Sequence, residues 1–169
     1  MQNNPNSGES CFRQTAYSLH YKLKSPSRAE KLAHIDFIMS GLNQKKQVTS
    51  VSLDIKYKGK KKSDAWQWLE FKNPQGKMGW LYQRADFIVF ERAKDFILVN
   101  RKNLVKWVNV NNKIRHDLPF VTNSWDAKYR LFRRGSKKES ITQIKTSDIL
   151  QIHGTQIWNK KCDETTSAK

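Results

Sequence analysis

Residues 53–91 read LDIKYKGKKKSDAWQWLEFKNPQGKMGWLYQRADFIVFE, and the order of segments within them decides the fold. The stretch opens inside an alternating run. Over 48–57, Val51, Leu53, Ile55 and Tyr57 share one face, while Ser50, Ser52, Asp54 and Lys56 share the other. That is the signature of a half-buried strand. A basic loop, KGKKKSD, follows at 58–64. Residues 65–73, AWQWLEFKN, are rich in aromatics and read as the returning strand of a hairpin. Asn73, Pro74, Gln75 and Gly76 then make a turn. Beyond the segment Gly79, Trp80, Leu81, Tyr82 come ADFIVFER (85–92) and DFILVNR (95–101). Their near-continuous apolar character predicts central strands covered on both faces.

Working outward, Pro26, Ser27 and Glu30 form a capping signal, and Leu32, Ile35, Met39 and Leu42 fall on one stripe. Together they predict a helix over 27–43. Residues 102–109 predict a short helix, 129–133 and 140–145 strands, and 146–150 a helical turn. Residues 1–10 are polar and expected to be disordered, and 160–169 a flexible tail. The expectation is one domain over 11–159, its core about 27–110, of α+β (mixed α/β) class, with a central mixed sheet flanked by helices.

The chain has 169 residues and a formal net charge of +17, from 32 Lys+Arg against 15 Asp+Glu. Such an excess attracts polyanions, and nucleic acid is the expected partner. A membrane is not: there is no long apolar run, and the charge is spread through KYKGKKK at 56–62 and RRGSKK at 133–138 rather than along one amphipathic helix. The first ten residues lack a secretory signal pattern. Cys11 and Cys162 have no metal-type spacing, which reads as a reduced, intracellular protein, with a disulfide between the two as the alternative.

Side chains alternate along a strand, so Glu70 and Lys72 are expected on one face, with Phe71 on the other. If the hairpin turn centres near Lys62, Asp54 lies opposite Glu70, with Cβ atoms about 5 Å apart. Two carboxylates at that separation call for a cation between them or a shared proton. Mg²⁺, or Mn²⁺, held by Asp54 and Glu70 against a phosphate, with Lys72 at the attacking water, is the chemistry this pattern can support. The four histidines, His20, His34, His116 and His153, have no metal-ligand spacing. Trp66 and Trp68 share the face of Glu70, either walling a cleft or stacking on bases.

The order helix, Asp-bearing strand, Glu-x-Lys strand, further element, strand resembles the core of the PD-(D/E)XK nuclease superfamily over roughly residues 27–110. WLEFKNPQGKMGWLYQRADFIVFE is similar to small phage-encoded endonucleases. The resemblance implies a restriction-endonuclease-like fold and Mg²⁺-dependent endonucleolytic hydrolysis of DNA. It implies Asp54 as the motif aspartate, Glu70 as the following acid and Lys72 as the lysine, with the Phe71 carbonyl joining the metal shell. Lys60, Lys61, Lys62, Lys77, Arg84, Arg133 and Arg134 are expected to hold the DNA backbone. A homodimer and a cytoplasmic location, the host's cytoplasm if the chain is phage-encoded, go with that reading. Leu53 stands where the family often has proline. Asp64 rivals Asp54, and Glu30 or Asp36 could add an acid from the first helix. Site-specific (homing or restriction-type) and junction-resolving or repair roles stay open, as does a non-catalytic nucleic-acid-binding module.

Overall fold

The computed structural model describes residues 7–42, 45–59 and 63–162. In chain order its elements are α1 (Ser7–Ser18), β1 (Lys22–Lys24), α2 (Arg28–Leu32), β2 (Phe37–Leu42), β3 (Val48–Lys56), β4 (Trp66–Lys72), β5 (Phe87–Glu91), β6 (Asp95–Asn100), α3 (Arg101–Val110), β7 (Ser140–Lys145), α4 (Thr146–Leu150) and β8 (Gln156–Asn159). Short 3₁₀ turns lie at Trp80–Tyr82 and Ser124–Asp126. Six strands form one sheet in the order β1-β2-β3-β5-β6-β8, and β4 pairs with β7 in a second. Only the β3–β5 pair of the large sheet is parallel. The class is α+β with a mixed sheet, as expected.

Both faces of the large sheet are covered. Val89 and Leu98 join Leu53, Ile55 and the α1 residues Phe12 and Ala16 on one side. Ile88, Phe90, Ile97 and Val99 join Leu69, Phe71, Leu81, Leu104 and Ile144 on the other. β5 and β6 are therefore buried along most of their length, which is why they read as continuous apolar runs.

The expected hairpin of residues 48–57 with 65–73 does not form. β3 pairs with β2 and β5, whereas β4 runs antiparallel to β7. A parallel pair cannot be closed by a tight turn. The connection from β3 to β5 must cross over one face of the sheet, and β4 lies within that crossover.

The expected helix over 27–43 also divides. Ser27 accepts from Glu30 N–H, and Glu30 Oε2 accepts from Ser27 N–H, so the capping box holds. Yet α2 stops at Leu32, and His34 takes a left-handed φ of 56°. Ile35, Phe37 and Met39 are buried at a spacing of two, while Leu32 and Leu42 are 78% and 67% exposed. The strand period outweighs the helical stripe because the burial it delivers is larger.

The disorder expected over 1–10 is corrected at 7–10, which begin α1; residues 1–6 lie outside those described. The C-terminal tail is likewise anchored at its start. Lys160 Nζ contacts Glu91 Oε1 at 2.7 Å, and Cys162 is disulfide-bonded to Cys11. The reduced-cysteine reading is thus corrected: α1 and the segment after β8 meet on one face of the sheet, with Cα atoms 5.1 Å apart. Residues 163–169 lie outside the described residues.

The bond spans 151 residues, so it restricts the unfolded chain strongly. Cys162→Ser is expected to lower unfolding free energy by about 2–5 kcal/mol in denaturant titration. Wild-type protein in reductant should fall to the same value, and identical curves with and without reductant would contradict a stabilising bond.

Candidate active site

β3 presents Asp54 and Lys56 to the same face, because they sit two apart and pair with Ile88 and Phe90 of β5. This is the face over which the crossover packs. Asp54 is 3% exposed. Lys56 Nζ lies 2.7 Å from Asp54 Oδ1, while Asp54 Oδ2 is buried with no hydrogen-bond partner. The Lys56 ammonium also sits 4.4 Å from the centre of the Trp80 ring.

Trp80 links this pair to the crossover. Its backbone N–H donates to Glu70 Oε1 at 3.2 Å. Gly79 makes the approach possible: a Cβ there would come within 2.3 Å of the Glu70 carbonyl oxygen. Glu70 thus comes near the pair from the second sheet, by way of Trp80, rather than as a hairpin partner of β3. From the other side, Asp36 precedes β2, and its Oδ2 accepts from Ile55 N–H at 2.7 Å. Its own N–H donates to the Leu53 carbonyl at 2.7 Å, so it flanks Asp54.

Burial pushes the Asp54 carboxyl up to about 6; Lys56 opposes the shift, and the charges of Asp36 and Glu70 add to it. His34 is lowered by burial and by Lys56, with Glu70 and Asp36 acting against that. Five side chains, His34, Asp36, Asp54, Lys56 and Glu70, therefore share one electrostatic neighbourhood.

The expected triplet Glu70-Phe71-Lys72 is split. A β-bulge falls between Glu70 and Lys72, so the strict alternation that would place them together is broken. Lys72 is exposed, and no ion pair among the described residues involves it. The Phe71 carbonyl accepts from Gly79 N–H at 2.9 Å. Asp64 bonds Lys58 Nζ at 2.6 Å and the N–H of Ala93, which makes it a staple of the crossover. Glu30 is spent in the α2 cap. Of the expected backbone-binding cations, Lys77 and Arg84 are exposed, and Arg133 lies over the Phe120 ring. Arg134 is instead held at 2.6 Å by Glu139, whose carboxylate is fully buried. Lys60, Lys61 and Lys62 lie outside the described residues.

Lys56 is the residue that strand reasoning passed over. Its signal was present in Asp54-Ile55-Lys56, a carboxylate-x-lysine triplet on one strand face.

Among the described residues, no three His, Cys, Asp or Glu side chains are grouped to hold a metal ion on their own. The unpartnered Asp54 Oδ2 nevertheless fits a cation, and Mg²⁺ typically takes one or two carboxylates and completes its shell with water and phosphate. No protein-family model, curated protein or solved structure matches the chain.

The native state favours protonated Asp54, so this group's stability contribution falls as pH rises from about 4 through about 6. Without divalent ions at pH 8, Asp54→Asn is expected to stabilise the fold by about 1–3 kcal/mol. The gain should fade as pH drops toward 4. A urea titration in EDTA at both pH values checks this, and a loss of stability at pH 8 would contradict it.

Proposed function

We propose that the chain is a metal-dependent deoxyribonuclease of the PD-(D/E)XK kind, an endonuclease in which Asp54-Ile55-Lys56 is the carboxylate-x-lysine triplet. The observation that carries the reading is the buried Asp54, paired through one oxygen with Lys56 and left unpartnered at the other. Asp36 takes the place of the preceding aspartate, one strand away, and Glu70 supplies a further acid from the crossover.

Asp54, through its unpartnered oxygen, would hold Mg²⁺ or Mn²⁺, with water and substrate phosphate completing the shell and Glu70 and Asp36 adding negative charge nearby; the ion supplies Lewis-acid polarisation of a phosphoryl oxygen and a more acidic water. Lys56 orients the attacking water and offsets charge growing on the phosphoryl oxygens. The Trp80 ring keeps its ammonium aimed across the site. Burial of Asp54 makes its interaction with Lys56 stronger than it would be in bulk water. The net charge of +17 suits a polyanionic substrate. No helix among the described residues is long and apolar enough to cross a membrane.

Supercoiled plasmid in Mg²⁺ should be nicked and linearised, and EDTA should stop it. Lys56→Ala and Glu70→Ala are expected to lose about a hundredfold or more in rate, whereas Lys72→Ala cuts near the wild-type rate. Active Lys56→Ala beside inactive Lys72→Ala would reinstate the Glu70-Phe71-Lys72 triplet. Wild-type protein that binds DNA but cuts in no divalent metal would leave a binding module.

DNA affinity in EDTA should be strongly salt-dependent. With about six phosphate contacts it should drop on the order of a thousandfold between roughly 50 and 200 mM salt. A flat response would argue that the charge serves another partner.

A further inference from the structure

Trp125 is 81% exposed. It is held out by a built turn. Asn123 Oδ1 accepts from the N–H of Trp125 and of Asp126, and Gln143 Nε2 donates to the Ser124 carbonyl. The next residues are pinned to β7. Gln143 N–H and Thr142 Oγ1 both donate to the Ala127 carbonyl, and Tyr129 N–H donates to the Gln143 carbonyl. An indole left in water forgoes the gain of burying a large apolar ring, and a hydrogen-bonded mount that keeps it there needs another reason.

The surroundings supply one. Residues 113–145 carry nine Lys or Arg against three Asp or Glu. Asp117 and Glu139 are already paired, with Arg115 and Arg134. Lys128, Arg133 and Lys145 join no ion pair among the described residues; they rest on aromatic rings instead. Lys128 and Lys145 lie 5.2 and 5.9 Å from the Trp66 ring, and Arg133 lies 4.4 Å from Phe120. An ammonium on a ring keeps its full charge for a phosphate. This flank is continuous with the site: β7 joins the Trp125 segment to β4, and Gln143 pairs with Trp68, two residues before Glu70.

We propose that this flank is a single-stranded DNA platform, with Trp125 stacking on an unpaired base while Lys128, Arg133 and Lys145 follow the backbone. The inference rests on the nuclease reading and deepens it: the favoured substrate carries unpaired nucleotides next to the cut. Stacking ignores base identity and requires an open base face, which a continuous duplex does not offer.

The test is fluorescence anisotropy in EDTA, with a labelled single strand and a blunt duplex of the same sequence. Trp125→Ala should weaken the single strand about tenfold and the duplex less than about twofold, and Trp125→Phe should restore most of the loss. Thermal unfolding of both variants should match wild type, because the ring contributes little to the core. Equal losses on both probes, or none on either, overturn the platform. Because no cleavage is involved, a catalytically dead wild type does not touch this result. Wild-type protein that binds neither probe overturns the platform and the nuclease reading together, whereas the other adverse outcomes strike the platform alone.

Discussion

The parallel pairing of β3 with β5 is the constraint from which the rest follows. Adjacent parallel strands must be joined by a chain that leaves the sheet and returns. Here the return carries β4, which finds its own partner in β7 and roofs one face of the large sheet. Asp54 and Lys56 point at that face, so the roof closes over them. Had β4 returned as a hairpin, Asp54 would sit on an open sheet, wet and ordinary. The crossover makes it buried, with a carboxyl shifted up to about 6.

Such a site is expensive to keep folded. A carboxylate with one unpartnered oxygen, flanked by two more acids, works against the native state unless protonated or met by a cation. Lys56 offsets part of this, at 2.7 Å. The burial on both faces of the large sheet and the Cys11–Cys162 bond supply the stability that lets it persist. Under the proposed chemistry, the same tension is what a bound cation would relieve.

The central strands were legible because burial on both faces leaves a continuous apolar record in β5 and β6. α3 and α4 were legible from local pattern alone. What failed did so for physical reasons. Residues 27–43 satisfy a helical stripe and a strand alternation together, and only tertiary burial chooses between them. Strand partnership is a non-local property, so β4 looked like the neighbour of β3 when its partner lies some seventy residues on, in β7. Of the candidate site, Asp54 and Glu70 stand out in the sequence as strand-borne acids, and Asp36 as a further acid at the edge of the apolar stripe. Lys56 does not stand out, because Glu70-Phe71-Lys72 offers the same triplet in a more core-like strand, and the β-bulge that separates Glu70 from Lys72 leaves no mark in composition.

The covalent link between Cys11 and Cys162 encloses nearly all of the folded residues. Tension applied through the flanking segments would therefore pass from residue 11 to residue 162 across a single bond, leaving the sheets unloaded. A machine that unravels proteins by pulling on an end would meet a closed ring when the bond is oxidised and an ordinary thread when it is reduced. The redox state of one pair of sulfurs thus decides how the molecule yields to force, independently of how stable it is at rest.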